Sequence, residues 1–321
     1  MTQRLKSRHL STERRNPRTR GIDLRPTREI LRAMNREDAG VARAVGRAIP
    51  EIASAVDAIA LALQRGGRLI YVGAGTSGRL AALDAAECPP TFGVSREMVV
   101  TLIAGGRRAL TDAVEGAEDN TAAGARDVRR ARCSRRDVVV GLSASGRTPY
   151  VLGALEAARR AGARTVAVVC NRGTEIARAA EIAIVADTGP EAIAGSTRLK
   201  AGTAQKLILN MLSTGAMIRL GRVYDNWMAG VAQTNRKLRG RAVGILREAT
   251  GAREAAARKA LAAARGDLRV ALVMLKRAVT RDQAEFALAA AGGDLRGALG
   301  ERRKTRRRQP ASNRPTWTNF L

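Results

Sequence analysis

Two periods of apolar spacing divide the chain. Five short runs, at 68–72, 98–104, 137–142, 164–169 and 182–186, are nearly continuous in Val, Ile, Leu and Ala, as strands buried on both faces are. Around them apolar residues recur every three or four positions. Ile52, Val56, Ile59, Ala60 and Leu63 make one face of a helix over 50–64 that Gly66-Gly67 ends. Ile30, Leu31 and Met34 do so over 27–35, with Thr27 expected as N-cap. Leu80, Leu83 and Ala86 begin a helix after the first strand, and 201–220 predicts a long one. Strands alternating with helices predict the α/β class, a doubly wound parallel five-stranded sheet flanked by helices.

The ends read differently. Residues 1–26, with Pro17 and Pro26 as breakers, predict an extended arm. Residues 260–272 (ALAAARGDLRVAL) recur at an offset of 27 as 287–299 (ALAAAGGDLRGAL), each copy reading helix, Gly-Asp turn, helix. The expected division is an N-terminal arm and helix (1–50), a catalytic α/β domain (51–245), a small all-helical, UBA-like repeat domain (246–300) and a disordered basic tail (301–321).

In open parallel sheets ligands bind beyond the carboxyl ends of the strands, so the loops there are where chemistry is expected. The first, Gly73-Ala74-Gly75-Thr76-Ser77-Gly78, sets glycines and two hydroxyls at a helix start, where backbone N–H groups meet an anion. Its spacing fits neither GxGxxG nor GxxxxGK[ST], so a small phosphorylated ligand is expected rather than a nucleotide. Ser143, Ser145, Gly146 and Thr148 repeat that logic ahead of Pro149. Either loop alone also suits an ordinary capped turn; two facing one crevice favour an anionic ligand. A third polar stretch, PEAIAGSTRLK at 190–200, precedes the long helix and suggests ligand contacts.

Composition narrows the chemistry. Net charge is +28, yet residues 1–36 carry 11 basic and 3 acidic side chains and residues 301–321 carry 7 and 1, so half of the excess sits in the ends. Aromatics are 2% of the chain, too few to stack on bases, and no specific nucleic-acid partner is expected. No apolar run reaches the roughly 18–20 residues of a membrane span. The Arg-rich start lacks the apolar core of a signal peptide, and a cytoplasmic protein is expected. Cys88, Cys133 and Cys170 match no zinc spacing and suit a reducing compartment. His9 is the sole histidine, which argues against a His-based triad, base or metal site.

Proton transfer then falls to other side chains, carboxylates first. Glu87 precedes Cys88-Pro89-Pro90, where the prolines are expected to stop the helix. A carboxyl at that negative pole keeps its proton more readily, which suits a general acid; an exposed glutamate near a helix end is the plainer alternative. Glu115, Glu118 and Asp119 crowd one loop, and such crowding raises at least one pKa; a solvated acidic turn is the alternative. Cys88 reads as a packed side chain, and Lys200 either pairs with an anion or decorates the helix start.

Together the runs GAGTSGRLAALDAAECPPTFG, AVEGAEDN, GLSASGRTPYV and GPEAIAGSTRLKAGTAQK resemble the N-acetylmuramic acid 6-phosphate etherase family. That family belongs to the SIS superfamily and is related to glucokinase regulatory protein. TERRNPRTRGIDLRPTREILRAMNRED and VYDNWMAGVAQTNRKLRGRAVGIL extend the resemblance to about 12–299. It implies a SIS-type sheet and cofactor-free cleavage of the D-lactyl ether of a phosphorylated amino sugar. Glu87 would be the proton donor and Glu118 the second acid/base. Ser77, Ser143, Ser145 and Thr148 would hold the phosphate with Thr76 beside them, and Glu191, Ser196, Thr197 and Lys200 would lie near the sugar. A non-catalytic sugar-phosphate sensor and an aldose-ketose isomerase are the rivals; the paired glutamates disfavour the sensor. Ala229-Gly230 departs from an expected Val-Asp, which would remove a polar contact, and the tail after Gly300 has no family counterpart. A regular helix from Ser77 to Glu87 rises about 15 Å. The expectation is therefore that this helix breaks early or that Glu87 serves a neighbouring subunit in a homodimer.

Overall fold

The structure is a computed structural model in which residues 10–231 and 236–301 are described. His9 and the basic stretch beyond Glu301 lie outside the described residues. Five parallel strands, β1 (Leu69–Gly73), β2 (Val99–Ile103), β3 (Val138–Ser143), β4 (Arg164–Val169) and β5 (Ile182–Val185), form one sheet in the order β2-β1-β3-β4-β5. Within a residue or two these are the expected strands.

Side chains alternate between two apolar layers. Leu69, Tyr71, Val138, Val140 and Leu142 face the layer holding Ile59, Ala81, Ile208 and Leu212. Ile70, Val72 and Val139 face Val128, Val151 and Leu155 on the other side. The helices supplying them number in chain order: α1 (Thr27–Asp38), α2 (Val41–Gly46), α3 (Ile49–Gln64), α4 (Gly75–Phe92), α5 (Thr121–Arg130), α6 (Pro149–Arg160), α7 (Glu175–Ala179) and α8 (Lys200–Arg219). Helices on both faces explain why the strands read as unbroken apolar runs.

Three expectations are corrected. Pro26, not Thr27, is the N-cap of α1, and no side chain caps that end. The arm is not simply extended: 11–24 holds three 3-10 turns pinned to the sheet's carboxyl edge. There Asn16 Nδ2 donates to Pro190 O at 3.2 Å and Thr19 Oγ1 to Ala192 O at 2.8 Å. Helix α4 runs through Pro89 and Pro90 to Phe92. The prolines sit in its last turn, where only the acceptors of Ala85 and Ala86 lose a helical donor. Gly93, at φ +61°, closes the end with its N–H on Pro89 O at 2.9 Å.

Beyond α8 a short hairpin, β6 (Val223–Tyr224) and β7 (Trp227–Met228), shares an apolar core with α9 (Arg236–Thr250), α10 (Glu254–Ala263), α11 (Leu268–Arg277), α12 (Arg281–Ala290) and α13 (Leu295–Ala298). The internal repeat is visible as α10–turn–α11 and α12–turn–α13, with Gly266 and Gly293 both at φ +84°. At the hairpin's end Gly230 meets the end of α4 backbone to backbone: a Cβ on Gly93 would stand 2.1 Å from Gly230 O, and one on Gly230 would stand 2.2 Å from Phe92 O. The Ala229-Gly230 departure thus has a steric reason, because nothing larger than hydrogen fits this approach.

Candidate active site

Strand β1 lies between β2 and β3, so the chain leaves it in one direction and returns on the other side. The crevice at such a reversal is where parallel sheets receive ligands. Gly73 pairs with Leu142, which sets the 73–78 loop beside the 143–148 loop at one level. Gly78 lets α4 approach the sheet, since a Cβ there would stand 2.6 Å from Ile103 Cγ1.

In the second loop the hydroxyls converge on Ser143. Its Oγ lies 2.8 Å from Thr148 Oγ1 and 3.3 Å from Ser145 Oγ, and it accepts the Gly146 N–H at 3.0 Å. Gly146 adopts φ +70°, and Thr174 fills the space a side chain would need. Helix α6 begins at once after Thr148, adding its N-terminal partial charge. In the first loop buried Ser77 donates its Oγ to Gln205 Oε1 on α8 at 2.8 Å. Gln205 Nε2 is buried without a partner among the described residues. An unspent amide donor beside the Ser77 hydroxyl is what an oxyanion ligand would satisfy.

The 190–200 stretch closes a third side. Ser196 and Thr197 are half-buried, and Gly202 brings Thr197 O and Thr76 Cγ2 within 3.4 and 3.5 Å of one point. Glu191 and Lys200 are spent on the scaffold. Glu191, fully buried, accepts the N–H groups of Lys200 and Ala201, both at 2.9 Å, and so caps α8. Burial lifts its carboxyl above the ordinary value, while the two N–H groups and the Lys200 charge pull it back. Lys200 Nζ pairs with buried Glu37 at 2.8 Å. Arg18 grips the same carboxylate with a fork, one arm at 2.9 Å. Glu37 is held down to about 2, first by the Arg18 hydrogen bond.

The two glutamates part company. Glu118 lies in a 3-10 turn (Ala117–Asp119), exposed, on a small cleft that it shares with Gly75, Arg79 and Glu115. Asn120 caps α5 behind it by accepting the Ala123 N–H at 2.8 Å. Glu87 is exposed on α4 and lines no part of that cleft. With α4 unbroken from Gly75 to Phe92, the early break is excluded.

Four contributors escaped the sequence reading. Besides Gln205, Asn171 donates to Ala144 O at 2.9 Å and Thr12 Oγ1 at 3.0 Å, tying the arm to the hydroxyl loop. Arg79 donates to Ala109 O at 2.9 Å and Asp112 O at 2.8 Å, fixing the loop before Glu118. Asp84, buried on α4, accepts from Tyr71 (2.9 Å), Ser213 (3.1 Å) and Asn210 (3.2 Å), and burial raises its carboxyl to about 6. A polar residue inside an apolar helical face was the available signal for Asp84 and Gln205.

Among known proteins, the glucokinase regulatory protein N-terminal SIS domain family matches residues 51–159 and the SIS domain family matches 118–214. The N-acetylmuramic acid 6-phosphate etherase of Aeromonas hydrophila subsp. hydrophila is 56% identical over 273 residues, 85% of this chain and 92% of that protein. The etherase of Geobacillus thermodenitrificans is 50% identical over 277 residues, 86% of this chain and 94% of its own. Among solved structures, a phosphoheptose isomerase from Francisella tularensis aligns with a TM-score of 0.45 at 18% identity, over 60% of this chain and 96% of that one. Identity at this level over nearly the full length of the relatives shows the family: the chain belongs to the N-acetylmuramic acid 6-phosphate etherases.

Proposed function

We propose that the protein is a carbon–oxygen lyase that cleaves the D-lactyl ether of N-acetylmuramic acid 6-phosphate. The products are N-acetylglucosamine 6-phosphate and D-lactate, a step of cell-wall amino sugar recycling. What supports the reading for this site is the convergence of Ser143, Ser145 and Thr148 in the loop after β3, neighbour to the loop after β1 in which Ser77 bonds Gln205 and leaves its amide donor unspent. These groups suit a sugar phosphate, with Thr76, Ser196 and Thr197 around the ring. Glu191 and Lys200 support the wall from behind.

In the open-chain sugar the C1 aldehyde acidifies the C2 proton. One carboxylate removes that proton while a carboxylic acid protonates the C3 ether oxygen, and lactate leaves. Water then adds at C3 of the unsaturated aldehyde. Two carboxyl groups suffice, and no cofactor enters the balance. Glu118, beside the first loop, serves its own subunit's crevice. Glu87, exposed on an unbroken helix one turn after Leu83, which is 54% exposed, serves the partner's crevice in a homodimer. Three free thiols favour a reducing compartment, the cytoplasm.

The test is release of D-lactate from N-acetylmuramic acid 6-phosphate by wild type, Glu87→Gln and Glu118→Gln. Each variant is expected to lose about 10²–10⁴-fold in turnover with its fold intact. Folded wild type releasing no lactate would overturn the reading, and conversion of a 6-phospho-ketose instead would install the isomerase.

A further inference from the structure

Outside the crevice a second cavity of about 470 Å³ opens between the arm, α1, α2 and the end of β5, within the size range of small-ligand sites. Its lining is dominated by cations: Arg18, Arg36, Arg43, Arg47 and Lys200 against Glu37 and Asp187. The two carboxylates are already committed. Glu37 is shared by Arg18 and Lys200, and Asp187 is engaged by Arg172 at 3.6 Å and by Ser11 Oγ at 3.2 Å. Arg36 and Arg43 are exposed and their guanidinium groups have no hydrogen-bond or ion-pair partner among the described residues, and the Arg47 side chain reaches only Asp187 O, at 3.4 Å. On the wall Thr188 Oγ1 is buried, again without a partner.

Two unpaired guanidinium forks from different helices, a third nearly free and an idle hydroxyl form a concave donor set with no acceptor left to satisfy it among the described residues. We propose that this cavity is a second anion site, taking a small phosphate compound of two or more negative charges. Planar forks match phosphate oxygens two at a time, and a cavity screens them less than open surface does. None of the crevice hydroxyls lines it, so the inference stands independently of the etherase reading. The occupant would touch the structural chain that reaches the crevice: the single Ser11 hydroxyl proton lies between Asn171 Oδ1, at 2.9 Å, and Asp187 Oδ1, at 3.2 Å, and Asn171 holds Ala144 O.

The experiment is calorimetric titration of the full chain with pyrophosphate at about 0.15 M salt. A Ser143→Ala/Ser145→Ala variant disables the crevice, and Arg36→Gln/Arg43→Gln disables the cavity. The expected result is saturable binding that persists in the serine variant and weakens about tenfold or more in the arginine variant. An exposed pair elsewhere, Arg129→Gln/Arg130→Gln on α5, should change nothing. Equal weakening by that control pair would reduce the effect to net charge and overturn the site. So would loss of all binding in the serine variant, or binding of citrate where pyrophosphate fails.

Discussion

Glu37 keeps two cations in place and meets almost no water. Its folded pKa, about 2, lies below the ordinary 4.5, so its stabilisation is complete above 4.5 and is lost as pH falls toward 2. Glu37→Gln removes the carboxylate that pairs with buried Lys200 and is expected to cost about 3–5 kcal/mol at neutral pH. Thermal melts should show that gap closing as pH drops below 4.5; a constant gap would contradict it. Asp84 has the opposite sign. Its folded value of about 6 lies above the ordinary 3.8, so its contribution is greatest below 3.8 and is lost as pH rises through 6. Denaturant titrations of Asp84→Asn against wild type should diverge in slope between those two values, and parallel profiles would refute the assignment. Neither residue's role was legible in sequence. Glu37 finds Lys200 across 163 positions, and only the fold reveals that Glu191 is spent on a helix end.

At the level of elements, strands and helices were legible because burial on both faces leaves a continuous apolar signature and helical packing leaves a periodic one. The errors came where geometry bends a rule: Pro89 and Pro90 take donors only from Ala85 and Ala86, one turn back, and α4 carries on past them to Phe92. Helices α5 and α6 cross where glycine allows contact, a Cβ on Gly124 falling 1.9 Å from Tyr150 O and one on Gly153 falling 2.1 Å from Thr121 O. Gly124→Ala should therefore push apart the helix that follows Glu118 and the helix that follows Thr148. The expected cost is about 1–3 kcal/mol, with a fall in lactate release beyond what the lowered melting temperature explains. Unchanged turnover at a temperature where the variant is fully folded would show that the crossing does not set the loop.

For the whole molecule, the crevice was legible as two hydroxyl loops in a parallel sheet, whereas the route from Glu87 to a substrate was not. A single chain holds no account of its neighbour. If Glu87 crosses to the partner and Glu118 acts at home, a hybrid of one Glu87→Gln and one Glu118→Gln chain contains one intact site. Random reassociation of the two inactive proteins should then restore about a quarter of wild-type lactate release. No recovery, with hybrids verified by mass, would place both glutamates in the same subunit's site.

The abutment of Gly93 and Gly230 bears on descent. The Gly230 carbonyl occupies the volume that a side chain at 93 would need, and the Phe92 carbonyl the volume needed by one at 230, so neither position accepts a side chain while the other segment stays in place. An aspartate at 230 would require the hairpin to stand farther from α4. The pair is a steric lock on evolutionary paths, and it couples the history of the C-terminal helices to that of the helix bearing Glu87.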